Sequence, residues 1–125
     1  YEATEFRSGI FINEGGSFHF EPFSNAVQQS PINSILCEDF DQDGKLDLLL
    51  AGNNYLPEIE TTRYDAGIGV FLKGEGGGQF IPISNLTSGF FAHKDVRAML
   101  KVGNTIFVAN NNDECDLFVV KNKPL

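Results

Sequence analysis

Asp39-Phe40-Asp41-Gln42-Asp43-Gly44-Lys45-Leu46-Asp47 places four carboxylates at relative positions 1, 3, 5 and 9 of one short stretch. Packed this closely, the four acids repel one another unless a cation sits among them. Calcium suits them best, because it accepts about 6–8 hard oxygen ligands at roughly 2.3–2.6 Å in a flexible geometry. Asp39, Asp41, Asp43 and Asp47 offer side-chain oxygens, and Lys45 at position 7 offers its backbone carbonyl. Gly44 falls where the loop must turn sharply, and glycine takes positive φ without steric cost. The Lys45 side chain is free to point to solvent.

The residues on either side decide the fold. An EF-hand shares the first half of this spacing, but it needs a bidentate Glu at position 12 and a helix on each flank. Position 12 is Leu50, and the flanks are Ser34-Ile35-Leu36-Cys37 and Leu48-Leu49-Leu50-Ala51. Short apolar runs bounded by turn residues read as strands. The acidic loop therefore closes a β-hairpin. A solvated acidic turn without metal is the plain alternative, but such a turn has no need of an acid at every second position.

Working outward, the same local grammar recurs. Gly9-Ile10-Phe11-Ile12 returns as Gly69-Val70-Phe71-Leu72, an offset of 60. At that offset Gly16 meets Gly76, Phe20 meets Phe80, Pro22 meets Pro82, Ser24 meets Ser84 and Asn25 meets Asn85. Leu48-Leu49-Leu50-Ala51-Gly52-Asn53-Asn54 resembles Ile106-Phe107-Val108-Ala109-Asn110-Asn111-Asn112 at offset 58. Where the first copy carries the acidic loop, the second has only Lys101-Val102-Gly103-Asn104, a tight hairpin turn. Strands are expected over Arg7–Asn13, Ser17–Phe23, Ile32–Glu38, Leu48–Asn53, Ala66–Lys73, Gln79–Ile83, Val96–Val102, Thr105–Asn110 and Asp116–Lys121. Tyr55–Asp65 is the longest connection; Pro57 and Thr61-Thr62 argue for loop over helix.

Four strands per sixty residues, repeated, is the signature of β-propeller blades. The expected fold is all-β: two to three antiparallel four-stranded blades. Residues 1–25 end one blade, 26–85 form a complete blade with the acidic loop, and 86–125 form an incomplete one. Propellers close with about 4–8 blades, and about seven are expected for the intact one. The chain is thus expected to be a piece of a larger propeller, partnered by its remaining blades or by another chain. On this reading Phe11, Phe20, Phe71 and Phe80 are buried between blades, and the edge at Asp116–Lys121 pairs with a strand from elsewhere.

Bulk properties narrow the function. The chain has 125 residues, 42% hydrophobic and 21% charged, which is an ordinary globular balance. Its net charge of −8 disfavours nucleic acid and anionic membrane surfaces as partners. Twelve Phe and 13 Gly suit short strands and tight turns. No apolar run reaches the roughly 18 residues of a membrane span. Cys37 and Cys115 read as two buried free thiols, or as a disulfide in an extracytoplasmic protein.

The acidic loop resembles the calcium loop of FG-GAP/VCBS repeats, the blades of integrin α-type propellers. That motif is Asp-x-Asp-x-Asp-Gly-x-x-Asp, and Asp39, Asp41, Asp43, Gly44 and Asp47 match it in full. Arg63-Tyr64-Asp65-Ala66, Val70-Phe71-Leu72-Lys73-Gly74, Ser88-Gly89-Phe90-Phe91 and Asp95-Val96-Arg97 are similar to the last repeats of bacterial surface proteins of the cartilage-acidic-protein/UnbV group. The likeness spans roughly residues 9–121. It implies a Ca2+-stabilised propeller for protein–protein interaction or assembly, non-enzymatic, in an extracytoplasmic, cell-surface or outer-membrane setting. A glycan-binding, lectin-like propeller is the alternative.

The remaining constellations carry less. His19 lies on an expected strand, and His93 has no nucleophile signature beside it. Gly74-Glu75-Gly76-Gly77-Gly78 joins two strands and lacks the Lys-Ser/Thr of a phosphate loop. Asn85-Leu86-Thr87 is a glycosylation sequon. Asp95 and Arg97 share a strand face where they would tie blades together. Arg63, Tyr64 and Asp65, an aromatic with a charged pair on a long loop, form the candidate partner-binding surface.

Overall fold

The computed structural model describes residues 2–121. Tyr1 and the last four residues of the expected third unit, 122–125, lie outside the described residues. Among those described there are nine strands, all antiparallel: β1 (Gly9–Asn13), β2 (Phe18–Pro22), β3 (Ile32–Glu38), β4 (Asp47–Gly52), β5 (Val70–Gly76), β6 (Gln79–Ile83), β7 (Val96–Val102), β8 (Thr105–Asn110) and β9 (Asp116–Val119). They form three open sheets, ordered β1-β2, β3-β4-β5-β6 and β7-β8-β9. A 3-10 turn at Asn25–Val27 follows β2, and the one-turn helix α1 (Asn85–Ser88) follows β6.

The second sheet is the centre of the molecule. All six residues of β4 are buried, because both of its faces are covered. One face carries Leu49, Ala51 and Phe71, which pack with Phe40 against Val96, Met99, Ile106 and Val108 of the third sheet. Phe90 and Ala92, from the segment before β7, complete that cluster. The other face carries Leu48, Leu50 and Leu72 with Val27, flanked by Phe23 and Phe80. An apolar run with no polar alternation is what a strand buried on both faces requires. β3 and β7 run side by side: Ser34 Oγ accepts from Met99 N at 2.8 Å, Asn33 Nδ2 donates to Val96 O at 2.9 Å, and Lys101 pairs with Glu38 at 2.5 Å.

The sixty-residue correspondence does not extend to side-chain facing. β1 and β2 pair Phe11 with Phe20, whereas β5 and β6 pair Phe71 with Ile83. The first hairpin turns through Glu14–Ser17, the second through Gly77 and Gly78, with an irregularity at Gly74/Gly76. The registers thus differ by three, an odd shift, and an odd shift sends a strand's side chains to the opposite face. Phe71 is 3% exposed, as expected, but Phe11 is 70% exposed and faces outward. Phe20 and Phe80 are half-buried. The expectation that all four rings are buried is therefore wrong for Phe11.

Several strand limits also shift. β5 begins at Val70 rather than Ala66, because Asn53 captures the preceding backbone: its Nδ2 donates to Gly67 O and its Oδ1 accepts from Gly67 N. β1 starts at Gly9 rather than Arg7, and β9 stops at Val119 rather than Lys121. The outer face of the third sheet is open among the described residues. Leu100, Phe107 and Leu117 form one cross-strand row there, and all three are exposed.

Candidate metal centre

Asp47 opens β4 and anchors the acidic loop. It is fully buried, its Oδ2 accepts from Phe40 N at 3.0 Å and its Oδ1 from Gly74 N at 2.8 Å. One carboxylate thus ties both ends of the loop to β5. Such charge-assisted bonds are roughly twice as strong as neutral ones. The turn runs through two left-handed residues, Gln42 (φ 62°) and Gly44 (φ 87°). Gly44 needs that freedom, as its place in the spacing predicts.

The loop backbone then aims the other carboxylates. Asp39 accepts from Asp43 N at 3.1 Å and from Gly44 N at 2.9 Å. Asp41 Oδ1 accepts from Asp43 N at 3.2 Å, and Asp43 Oδ1 from Lys45 N at 2.9 Å. As a result, oxygens of Asp39, Asp41 and Asp43 lie within 4.8 Å of one another. Two oxygens bound to one calcium ion at 2.3–2.6 Å stand no more than about 5.2 Å apart. The three carboxylates therefore fit a single ion of that size, and hard oxygen donors are its preferred chemistry. Asp47 lies outside this triad; both of its oxygens meet backbone N–H groups. Lys45 sends its ammonium to Glu75 at 3.2 Å, on β5.

The residue that sequence reasoning missed is Lys73. Its ammonium reaches in from β5, pairing with Asp41 Oδ2 and with Asp43 Oδ2, the latter at 3.0 Å. The Asp41 side chain beneath it is only 3% exposed. Asp41, then Asp43, hold the Lys73 ammonium above its ordinary range, and Lys73, helped by the Lys45 N–H, holds the Asp43 carboxyl below the usual value. No local pattern in the sequence marks Lys73; the strand register places it there. Leu48 pairs with Leu72, so the next residue of β5 stands at the base of the loop.

The other singled-out residues fall into place around this centre. Arg63 lies over the Tyr55 ring at 3.9 Å and pairs with Asp65 at 3.3 Å. Tyr64 is 46% exposed, and its backbone bridges to Asn54, which fastens the long loop to the end of β4. Arg63, Tyr64 and Asp65 thus form one exposed group, on a loop apart from the acidic cluster. Asp95 is 1% exposed and accepts from Arg97 at 2.9 Å, Asn111 at 3.0 Å and Tyr55 N at 3.4 Å. It ties the β4–β5 loop to β7 and to the end of β8. Asn53, with φ at 88° and no exposure, donates to the carbonyls of His93 and Lys94.

His19 is exposed and pairs with Glu14 at 2.9 Å, and the His93 ring packs on Phe91. Cys37 and Cys115 are free thiols, but both are exposed rather than buried: Cys37 falls on the outward parity of β3, and Cys115 lies in the turn before β9. The Asn85 amide donates to Gly69 O and Phe90 O, fixing α1 to the start of β5. No protein-family model, curated protein sequence or solved structure matches this chain. Among the described residues no helix is long and apolar enough to cross a membrane.

Proposed function

We propose that this chain is a calcium-stabilised, non-enzymatic segment of a β-propeller that serves binding or assembly in an extracytoplasmic, cell-surface setting. The carrying observation is the convergence of Asp39, Asp41 and Asp43 within 4.8 Å, on a loop whose spacing matches a calcium motif. The grouping of strands as two, four and three, with β3 and β7 adjacent, supports successive blades with β3 and β7 innermost. Calcium would be held by the triad and the Lys45 carbonyl, with Asp47 anchoring the loop to the backbone beneath them, and its work would be to offset carboxylate repulsion. It would supply no chemistry to a substrate.

Melting in calcium and in chelator tests this. A ligand bound only by the folded state stabilises by about 2.7 kcal/mol at a hundredfold excess over its Kd. We expect the parent to gain on that scale and Asp43→Ala to gain nothing; identical curves for the parent in both buffers refute the reading. A second reading, a glycan-binding propeller, draws on the exposed Tyr64 beside Arg63 and Asp65. Sugar-dependent quenching of tyrosine fluorescence, lost in Tyr64→Ala, would favour it.

A further inference from the structure

We infer that copies of this chain join head to tail, the open face of the third sheet in one copy packing on the open face of the first sheet in the next. The inference rests on the assembly part of the proposed function and deepens it by naming the partner; it uses neither calcium nor the acidic loop.

Its starting point is β8. Ile106-Phe107-Val108-Ala109 is an unbroken apolar run, as Leu48-Leu49-Leu50-Ala51 is in β4. Such a run suits a strand buried on both faces. Both faces of β4 are covered, but only one face of β8 is: Ile106 and Val108 are buried, whereas Phe107 and Ala109 are exposed. The exposed side continues across the sheet. Leu100–Phe107–Leu117 and Val102–Thr105–Val119 are two cross-strand rows, open among the described residues and without a charged side chain. Arg97, Lys101 and Asp116 stand at the alternate positions of the same strands. Contiguous apolar faces of this kind mark interaction sites.

A second such face belongs to the first sheet, on the other side of the second. Phe23 and Val27, which follow β2, pack on Leu48, Leu50 and Leu72, and Ile10 and Ile12 lie against Gly78 of the β5–β6 turn. The outward rows of the first sheet are Phe11–Phe20 and Asn13–Phe18, again uncharged, while His19 and Glu21 take the alternate positions. Phe11 and Phe18 are exposed, and the Phe11 and Phe20 rings lie 5.3 Å apart.

Charge and the chain's own packing identify the occupant. Copies of a chain with net charge −8 repel one another, so they approach best where neither surface carries a charge. Both open faces meet that condition. Within the chain, the row Leu36–Leu49–Phe71 of the second sheet is covered by the inner face of the third, a different surface rather than a copy of itself. Leu100–Phe107–Leu117 holds the same place in the third sheet. Stacking it on the first sheet of another copy continues that packing and buries both open faces. Pairing two third sheets back to back would leave Phe11 and Phe18 in water. A head-to-tail contact builds a ring where its rotation closes and a filament where it does not.

Sedimentation velocity from about 1 μM to about 1 mM tests this on the parent, on Phe107→Lys, on Phe11→Lys and on an equal mixture of the two variants. We expect the parent to form species of two or more copies as concentration rises, and each variant alone to stay monomeric. In the mixture, the intact first sheet of Phe107→Lys meets the intact third sheet of Phe11→Lys, so a heterodimer forms and nothing larger. Circular dichroism checks folding; if either variant does not fold, Leu117→Lys or Phe18→Lys takes its place. A parent that stays monomeric throughout overturns the inference. So does a Phe11→Lys that associates like the parent, the result of back-to-back pairing, and so does a mixture that fails to pair. Association that persists in both variants keeps assembly and overturns only the faces named here. The calcium reading is decided separately, by the melts in calcium and in chelator.

Discussion

The β3–β4 and β7–β8 hairpins use one plan with two different closures. Each contributes to a three-residue apolar row across its sheet: Leu36–Leu49–Phe71 in the second sheet, Leu100–Phe107–Leu117 in the third. β3–β4 closes through a long loop held by a buried carboxylate and lined with three more acids. β7–β8 closes through Gly103-Asn104, a tight turn with Gly103 at φ 58°. The strands do not require the acidic loop, since β7–β8 pairs without one. The loop is an addition to the hairpin, which is what a separate role for it demands. The rows differ in the opposite sense: the second sheet's is covered by the third sheet, and the third sheet's is open.

The largest expected effect separates buried from exposed rings. Phe71→Ala should cost about 3–5 kcal/mol in urea unfolding, because the ring is buried between sheets. Phe11→Ala should cost no more than about 0.5 kcal/mol, since its ring faces outward. Equal costs would restore the sixty-residue equivalence that the registers break.

Next comes the anchor that only the longer closure has. Asp47→Ala strands the N–H groups of Phe40 and Gly74, each costing about 1–3 kcal/mol when left unpaired and buried. Denaturant unfolding should report that loss with or without calcium. A variant as stable as the parent would mean the loop is not held through Asp47.

A loop exchange sharpens the comparison further. Replacing residues 39–46 by Gly-Asn, the closure of β7–β8, should leave a folded β-protein by circular dichroism. If calcium binds as proposed, the exchange should also abolish the rise in stability with calcium expected of the parent, about 2.7 kcal/mol at a hundredfold excess over Kd. A rise that survives the exchange would place the ion elsewhere.

The smallest effect concerns an ion pair in the third sheet. Burial pushes the Asp116 carboxyl up, but Lys94 and Asn110 outweigh it and hold it below the ordinary 3.8. Asp116, followed by Asp113, holds the Lys94 ammonium above 10.5. For a lowered carboxyl, the stability is present above pH 3.8 and lost as pH falls through the lower folded value. For a raised ammonium, it is present below pH 10.5 and lost as pH rises through the folded value. Asp116→Asn should therefore flatten the acid limb of the stability curve slightly, and the alkaline limb with it. An unchanged acid limb would show the pair to be energetically silent.

The sequence by itself determined the strands and the acidic spacing. Ile32–Glu38, Gln79–Ile83, Val96–Val102 and Thr105–Asn110 are strands over the residues their apolar runs and turn residues delimit, because those limits are set by neighbours in the chain. Gly44 adopts the positive φ its place in the loop requires. What only the tertiary structure decided depends on register and on neighbours far along the chain. An odd shift between two similar hairpins turned Phe11 outward, and no local pattern records it. Strand pairing across the second sheet brought Lys73 to acids some thirty residues earlier. The packing of β5 beside the loop drew Asp47 onto two backbone donors and away from the other three carboxylates. Spacing along a chain says which oxygens can approach one another; only the folded sheet says which cation meets them.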